Sequence, residues 1–349
     1  MRGSITILAL FLASFALAQG VDKRIKVEEG ALGPSKIVIA VAKKWNKRVL
    51  ILAHGLRSES EPLSANFNYA DGCYRQLLKE GWMVAATSYR RNGYLHDEAI
   101  EDIDQLRQHI LDTYGTPKRI YIQGASMGGA IVAKIAEIRK DQYDGVLAIG
   151  AALGVGSIKY SFAPQMPLLF VSNQSELGDP KLYLERAANP LVKPVRWLVK
   201  RDGHCNLNDA EILTSLRALF AYRETGKIEA DRDVTVVLTP ASTARFSDGG
   251  AVAAVTHAPF NIETAFVAAD LEKLGIARGN TFSVSFNDKT VKVFLGASYF
   301  DVPRGEWVAF ITADGYLRVA RNFDNAAAVL GCKEKDEIIV RAIPRDNAK

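Results

Sequence analysis

One serine stands in a setting that favours nucleophilic chemistry. The stretch GASMG, Gly124 to Gly128, matches the pattern G-x-S-x-G and lies between an apolar run, RIYIQ, and a helix-like run, GAIVAKIAEI. Glycines on both sides let the backbone turn sharply from a strand into a helix, which leaves the serine hydroxyl exposed at the corner. The G-x-G-x-x-G spacing of a dinucleotide-binding loop is missing. We therefore predict that Ser126 is a nucleophile.

A serine hydroxyl needs a base, usually a histidine that is itself held by a carboxylate. The chain has five histidines. His204, in VKRDGHCNLND, follows the apolar run VRWLV and should lie on a loop at the same sheet edge as Ser126. His54 ends an earlier run and is expected to brace its own loop. We predict His204 as the base.

The acid is expected in the loop before the strand that leads to His204, in the chain order serine, acid, histidine. There the run MPLLFVS is followed by NQSELGDP, which offers Glu176 and Asp179. Glu176 lies at the usual separation from the strand end, whereas Asp179 precedes a proline and is held extended. We predict Glu176 as the acid and keep Asp179 as the alternative.

A tetrahedral oxyanion requires two preorganised N–H donors. Met127 begins the predicted helix after the nucleophile, where the helix dipole also favours negative charge. Leu56 follows His54-Gly55 at the end of an earlier predicted strand. We predict the amides of Met127 and Leu56 as the oxyanion hole. Three arginines near strand ends are weaker candidates for substrate contacts: Arg57, Arg90 and Arg91.

The elements that position these residues are short apolar runs alternating with amphipathic stretches between residues 36 and 226. Such alternation is typical of a mostly parallel sheet with helices on both faces. Helical spacing of apolar residues predicts a crossover helix over 99–114 and a closing helix over 207–225. The predicted strands are KIVIAV, RVLILAHG, MVAATSY, RIYIQG, DGVLAIGAA, PLLFVSN and VRWLVKRDG.

The chain changes character near residue 233, after the charged stretch TGKIEADRD. Short strands bounded by Gly, Asn, Asp and Pro predict a second, mainly β domain. We place the first domain at 19–228 and the second at 233–346. In the second domain only IETAFVAADLEKLG and DNAAAVLG look helical, and the predicted strands are DVTVVLTP, TFSVSFND, KTVKVFLG, WVAFITADG, YLRVARN and EIIVRAIP.

The first residues have the pattern of a secretory signal. Met1 and Arg2 precede an uncharged apolar run, and the small-x-small sequence ALA stands before Gln19. We predict a signal peptide over residues 1–18 and export to the periplasm or the medium. The run is short for a membrane span, so we expect no stable span after cleavage.

Composition excludes several other classes. The 349 residues are 48% hydrophobic and 24% charged, as in ordinary globular proteins. The net charge of +5 is spread without a basic block, which argues against a nucleic-acid partner. The chain has no spacing typical of metal ligands, and we expect no metal or other cofactor. Three widely spaced cysteines allow at most one intramolecular disulfide: Cys73, Cys205 and Cys332.

Taken in order, the motifs HGL, GASMGG, NQSEL and GHCNLN make residues 48 to 226 resemble the α/β-hydrolase superfamily. The last motif is similar to that of secreted hydrolases with a Gly-His-Cys-Asn-Phe-Thr sequence. In those relatives a proline follows the acid by four residues, as Pro180 follows Glu176, although the acid is usually Asp. The resemblance implies a doubly wound, mostly parallel sheet and an acyl-enzyme mechanism.

The chain between AIGAA and PLLFV is too short for the large lid of many lipases. We therefore expect an open, shallow site that hydrolyses small carboxylic esters. Peptide and amide substrates remain alternatives. A further alternative makes the protein a ligand-binding module in which the first domain is only a scaffold.

The second domain resembles the C-terminal domain of the S-adenosylmethionine hydroxide adenosyltransferases. The likeness depends on FNIETAF, LEKLGIARGN, YFDVPRGEWVAFITADGYLRVARN and DNAAAVLGCKEKDEIIV. In that family the domain forms part of a nucleoside pocket, which implies Asn261, Arg321 and Asn322 as ligand-binding positions. The transferase domain of that family has no counterpart in residues 1–258, so we expect no transferase activity. The domain is then expected to pack or form a homo-oligomer, or to bind a nucleoside-like ligand.

Overall fold

The computed structural model of the protein describes residues 23–156, 158–187 and 192–343. The predicted signal peptide lies outside these ranges. Within them, every helix is either too short or too polar to cross a membrane.

The first domain is built on one sheet of eight strands in the order β1-β2-β4-β3-β5-β6-β7-β8. β3 to β8 run parallel to one another, whereas β2 pairs antiparallel with β1 and β4. The predicted mostly parallel sheet is therefore confirmed. The strands are β1 (Ile25–Leu32), β2 (Ser35–Ala42), β3 (Arg48–Ala53), β4 (Met83–Thr87), β5 (Arg119–Ala125), β6 (Gly145–Ile149), β7 (Leu168–Asn173) and β8 (Val195–Val199).

Helices cover both faces of this sheet. Ile37 and Ile39 pack in the cluster that contains α2 and α3, whereas Val38 and Ala40 pack with α1 and α5. Successive residues of a strand point to opposite faces, so burial of both faces produces the near-continuous apolar runs of the sequence. The predicted crossover and closing helices correspond to α2 and α5. The helices are α1 (Gly72–Lys79), α2 (Asp97–Tyr114), α3 (Met127–Ile138), α4 (Gly178–Arg186) and α5 (Asp209–Thr225).

Strand β1 is the one strand of this sheet that the sequence pattern did not predict. Its sequence, IKVEEGAL, contains only a few apolar residues, and most of its side chains are partly or fully exposed. It lies at the edge of the sheet and pairs only with β2. An edge strand needs no continuous apolar run, so its pattern is weak.

The second domain is a closed barrel of seven strands. They follow the order β11-β15-β14-β13-β12-β16-β10, and β10 pairs again with β11, while β9 adds to the outside of β10. A smaller, mainly β domain was predicted and is confirmed. The elements are β9 (Arg245–Ser247), β10 (Gly250–His257), β11 (Ile262–Val267), α6 (Ala268–Lys273), β12 (Thr281–Phe286), β13 (Lys289–Leu295), β14 (Trp307–Ile311), β15 (Tyr316–Arg321), α7 (Ala326–Leu330) and β16 (Glu337–Ala342).

One predicted helix of this domain is only half correct. The stretch IETAFVAADLEKLG was expected to be helical throughout, but Ile262–Val267 form β11 and only Ala268–Lys273 form a helix. Ile262, Thr264 and Phe266 are fully buried while the residues between them are not. This alternation with period two belongs to a strand, and β11 closes the barrel between β10 and β15. Strands β9 and β10 were not predicted.

The predicted strand DVTVVLTP is wrong, because this segment is an extended connector bound to the first domain. Val234 N donates to Leu198 O at 2.9 Å, continuing the edge of β8. Val236 O accepts hydrogen bonds from the side chains of Arg201 and Asn208, both at 2.9 Å. The backbone groups of Val234 and Val236 are thus bonded to residues of the first domain rather than to the barrel. We call residues 232–240 the connector.

Candidate active site

Ser126 occupies the turn between β5 and α3. Its φ of 58° is in the left-handed region, which a residue with a side chain adopts only under constraint. A Cβ atom on Gly124 would lie 2.1 Å from Gly128 O, and one on Gly128 would lie 2.2 Å from Ala53 O. Only glycine fits at either position, so the G-x-S-x-G pattern follows from the close packing of strand and helix.

The structure brings the three residues predicted as nucleophile, base and acid into one hydrogen-bonded chain. Ser126 Oγ lies 2.7 Å from His204 Nε2, and His204 Nδ1 lies 2.6 Å from Glu176 Oε2. Glu176 Oε1 accepts from the backbone amides of Cys205, at 3.1 Å, and Asn173, at 3.3 Å. Both carboxylate oxygens are therefore occupied, which fixes the orientation of Glu176.

Asp179, the alternative acid, has a different partner. Its Oδ2 accepts from Gly154 N at 2.9 Å, and the residue lies in the first turn of α4. Glu176 comes directly after the strand end, in a short 3-10 turn, and this shorter separation places its carboxylate under His204. Of the two candidates, the geometry favours Glu176.

The surroundings of His204 favour a positive charge on its ring. Burial alone would lower the pKa of His204, but its contacts with Cys205 and Glu176 raise that pKa above its ordinary value. Burial raises the pKa of the Cys205 thiol, which therefore stays neutral at neutral pH. The Glu176 carboxylate is then the charge that stabilises an imidazolium at His204.

Both predicted oxyanion donors, Met127 and Leu56, line the same cavity as Ser126. Met127 is the first residue of α3, where N–H groups have no acceptor within the helix. Leu56 follows Gly55, and a Cβ atom on Gly55 would lie 3.2 Å from Ser126 Cβ. The two amides thus approach Ser126 from the β3 loop and from the start of α3.

His54 braces the loop that carries Leu56. Its ring nitrogens lie 2.7 Å from Gly55 O and 3.0 Å from Ser88 O, and the ring stacks on Tyr89 with centroids 4.0 Å apart. Burial, with a smaller effect of the Arg57 charge, lowers the pKa of His54 to about 4, so the ring is neutral at physiological pH. A neutral ring has one N–H and donates to one of these two carbonyls, so it braces the loop through that bond and through its stacking on Tyr89.

The expectation of an open, shallow site was wrong. Ser126 opens into a cavity of about 1050 Å³ whose walls come from both domains. The Phe300 ring of the second domain lies 5.3 Å from the His204 ring, centroid to centroid. The first domain does lack a long lid, but the barrel covers the site instead. Its contributions are Pro259, Phe260, Asn261, Tyr299, Phe300, Arg318, Arg321, Asn322, Phe323 and Asn325.

The three predicted ligand-binding positions, Asn261, Arg321 and Asn322, all line this cavity. Much of their hydrogen-bonding capacity is used inside the barrel. Arg321 donates to Gly305 O at 2.6 Å and is paired with Asp324. The Asn322 amide donates to a backbone carbonyl at 2.8 Å, and the Asn261 amide donates to a tyrosine hydroxyl at 3.0 Å.

Sequence reasoning missed the residues that join the two domains. Asn206 Nδ2 donates to Ile311 O at 3.1 Å, and Asn206 Oδ1 accepts from Ala313 N at 2.6 Å. Asn208 Nδ2 adds a longer bond to Ala313 O at 3.4 Å. Both asparagines belong to the GHCNLN motif, in which only His204 was predicted to have a role in the site. Two polar residues beside the start of a predicted closing helix were the only sign in the sequence that this loop makes further contacts.

Of the three arginines considered as substrate contacts, only Arg57 lines the cavity. Arg90 forms ion pairs with Asp102 and Glu101. Arg91 is paired with the carboxylate of Glu98 on the surface. Arg90 and Arg91 therefore form ion pairs within the first domain and are not part of the cavity lining.

The three cysteines are unpaired thiols. Cys205 Sγ lies 3.8 Å from His204 Nε2. Within the described ranges, one group has the spacing of metal ligands: Glu176, His204 and Cys205, whose ligand atoms lie within 4.8 Å of one another. The nitrogen and oxygen atoms of this group are already hydrogen-bonded in the chain that ends at Ser126, so a metal there would compete with that chain.

Two family models match the chain. Residues 46–190 match the family described as serine aminopeptidase, S33. Residues 260–339 match the SAM hydroxide adenosyltransferase C-terminal domain.

Individual relatives cover only parts of the chain. The o-phthalyl amidase of Xanthobacter agilis is 30% identical over 176 residues, which are 49% of this chain and 36% of that protein. The chain thus spans about a third of the length of that curated relative. An esterase structure from Pyrococcus furiosus is 18% identical, with a TM-score of 0.39 over 50% of this chain and 80% of that chain. An uncharacterized conserved protein from Thermotoga maritima is 23% identical, with a TM-score of 0.27 over 35% of this chain and 49% of that chain.

Proposed function

We propose that this chain, a hydrolase with an appended SAM hydroxide adenosyltransferase C-terminal domain, is an exported serine hydrolase that cleaves carboxylic esters. One observation carries the proposal. Ser126, His204 and Glu176 form a continuous hydrogen-bonded chain with separations of 2.7 and 2.6 Å. This is the arrangement that nucleophilic catalysis by a serine requires.

In the first half-reaction Ser126 Oγ attacks the ester carbonyl carbon while His204 Nε2 takes the hydroxyl proton. The carbonyl oxygen becomes an oxyanion that the amides of Met127 and Leu56 stabilise. Glu176 stabilises the imidazolium through its bond to Nδ1. Collapse of the intermediate breaks the bond to the alcohol, which leaves with the proton from His204.

In the second half-reaction water replaces the alcohol. His204 takes a proton from the water, whose oxygen attacks the acyl-enzyme carbonyl and forms a second oxyanion in the same place. The bond to Ser126 Oγ then breaks, and His204 returns the proton to that oxygen. The products are a carboxylic acid and the free enzyme.

Amide hydrolysis is the second candidate, because a relative is named an amidase and one matching family an aminopeptidase. The same residues would serve, with His204 protonating a departing amine instead of an alcohol. Matched substrates separate the two: a 4-nitrophenyl ester and a 4-nitroanilide of the same acyl group.

The proposal is tested by fluorophosphonate labelling and turnover of 4-nitrophenyl butyrate. We expect Ser126→Ala to abolish both, while Ser58→Ala, at another serine of the cavity, retains both. A folded wild-type protein that is neither labelled nor active would overturn the proposal. Nucleoside binding by the second domain would then be the better lead.

Export is tested separately. The protein recovered from the periplasm or medium of an expressing bacterium should begin at Gln19. A cytoplasmic protein that keeps Met1 would contradict export and leave the catalytic proposal intact.

A further inference from the structure

Three arginines line the cavity, and two of them are neutralised within the barrel. Arg318 Nε donates to Glu263 at 2.6 Å, and its guanidinium lies over the Phe310 ring. Arg321 is paired with Asp324. Each of these charges has a carboxylate partner and needs no further anion.

Arg57, the third arginine, forms no ion pair within the described ranges. Its Nη1 donates to Ser64 O and its Nη2 donates to Asn66 Oδ1 at 3.0 Å, and both acceptors are neutral. The remaining N–H groups of the guanidinium are available to a ligand. The carboxylate of Glu61 acts on Arg57 only through its charge, which raises the pKa of Arg57, and forms no ion pair or hydrogen bond with it.

Arg57 is also close to the reacting atoms along the chain. It directly follows Leu56, the predicted oxyanion donor, and a Cβ atom on Gly55 would lie 3.8 Å from Ser126 Oγ. Gly93 N donates to Arg57 O at 3.0 Å and anchors the backbone of the loop. Arg57 and Ser126 line the same cavity, so one substrate can reach both residues.

The environment makes an anion favourable at this position. Arg57 is half-buried, and burial lowers its pKa, although a guanidinium stays charged at neutral pH. A carboxylate replaces lost hydration of such a charge with paired hydrogen bonds. Three carboxylates also line the cavity, and each has other hydrogen-bond partners. Glu176 is bonded to His204, Glu61 accepts from Ser58 N at 3.1 Å and Asp179 accepts from Gly154 N at 2.9 Å.

The part of the cavity wall that the barrel supplies contains four aromatic rings. Phe260, Phe300 and Phe323 come from the barrel, together with the ring of Tyr299. These rings can hold an apolar or aryl body against the Arg57 side. We infer that Arg57 is a carboxylate-binding residue, and that the substrates are esters or amides bearing a second, free carboxylate. This inference rests on the proposed function and names its substrate class.

The test compares matched substrates with and without the charge. On the acyl side the pair is 4-nitrophenyl hydrogen adipate and 4-nitrophenyl hexanoate, with the uncatalysed rate subtracted. On the alcohol side the pair is 3-carboxyphenyl hexanoate and phenyl hexanoate. For at least one pair we expect wild-type kcat/KM to be higher for the charged member, and the preference to fall as salt rises.

Substitutions assign the preference to the residue. We expect Arg57→Gln to lower kcat/KM for the preferred charged substrate by about 10- to 100-fold, mostly through KM. The neutral member of the pair reports folding and should change little. Arg57→Lys should restore part of the preference. Arg91→Gln, at an ion-paired surface arginine outside the cavity, is the matched control and should keep it.

The outcomes separate this inference from the proposed function. Loss of neutral-ester turnover and of fluorophosphonate labelling in the wild type would remove the proposed function itself. Turnover of neutral esters with no preference for either charged member would overturn the inference alone. So would an equal fall for charged and neutral substrates in Arg57→Gln, because that result would assign the residue to the structure of the loop.

Discussion

Asn206, two residues after His204, accepts a 2.6 Å hydrogen bond from the backbone N–H of Ala313 in the barrel. Its Nδ2 also donates to Ile311 O at the end of β14, so both polar atoms of the Asn206 side chain are bonded to the barrel. Asn206 is buried, with 9% of its surface exposed. The loop that carries His204 is therefore bonded to the second domain, in addition to its bonds with Asn173 and Ser175 of the first domain.

Replacing Asn206 should disturb the base rather than the substrate. Asn206→Ala leaves the buried N–H of Ala313 without a partner, which costs about 1–3 kcal/mol of unfolding free energy. We expect kcat to fall on the order of 10-fold for neutral and charged substrates alike, with little change in KM. Steady-state kinetics and thermal unfolding measure the two effects.

Arg278→Gln is the control for this prediction. It removes the Arg278–Asp202 ion pair, which spans the same two domains but lies on the surface. Exposed pairs contribute at most about 1 kcal/mol, so kcat and the unfolding temperature should stay close to wild type. Equal kinetic losses in both variants would mean that domain contact in general, and not Asn206, positions His204.

The acid is tested by two carboxylate-to-amide substitutions. Glu176→Gln removes the charge that stabilises the His204 imidazolium and should lower kcat by about 10²- to 10⁴-fold. Asp179→Asn keeps an acceptor for Gly154 N and should have a small effect. A large loss in Asp179→Asn with near-normal Glu176→Gln would reverse the assignment.

We predict that kcat/KM increases with pH. His204 must be neutral to accept the serine proton, so kcat/KM should rise with pH through the pKa of His204. Its contacts raise that pKa, which places the wild-type inflection above the ordinary histidine value of about 6.5. Glu176→Gln should move the inflection to lower pH in the residual activity. An inflection that stays in place in this variant would contradict the role given to Glu176.

Gly150 should tolerate no side chain. Its φ is +48°, and a Cβ atom there would lie 2.5 Å from Cys205 Sγ and 2.7 Å from Glu176 Oε1. Gly150→Ala is expected to displace the acid and to lower kcat by at least about 10-fold. Gly154→Ala is the control on the same loop, because its Cβ atom would meet only Asp179, at 3.4 Å. Full activity in Gly150→Ala would show that the acid does not need its present position.

We predict that Phe300 affects the selectivity of the site for large over small esters. Its side chain is 60% exposed and lies against His204, so Phe300→Ala should open the cavity with little loss of stability. We expect KM to rise several-fold for long-chain and aryl esters and to stay near wild type for acetates. Phe246→Ala removes an exposed phenylalanine that lies outside the cavity lining and should leave both unchanged. A uniform change across all esters would argue against contact with the substrate body.

The strands predicted most accurately from the sequence are those with both faces buried. Strands β2 to β7 are mostly buried on both faces, so their apolar runs identify them without knowledge of their neighbours. Ile262–Val267 were misassigned because alternation over six residues resembles one face of a helix that continues into α6. The connector misled because Val234 and Val236 have the composition of a strand, while their partners, Leu198 and Arg201, are remote in the chain.

The site was predictable to the extent that local motifs place residues at one sheet edge. Ser126, His204 and Glu176 each follow a strand of the same sheet, so their meeting depends on strand order alone. The barrel wall was not predictable in this way. Phe300 reaches His204, and Asn206 reaches Ala313, only because two domains dock in one orientation, which no motif within either domain specifies.

The bond between Asn206 and Ala313 spans 107 residues of chain. Chains are synthesised from the N-terminus at about 5–20 residues per second, so the His204 loop leaves the ribosome some 5–20 seconds before its clamp exists. Until then the loop has only its bonds within the first domain, to Asn173, Ser175 and Glu176. If the contact with Ala313 positions His204, as the Asn206→Ala prediction states, we expect the first domain to be less active before the barrel is synthesised than after it has docked.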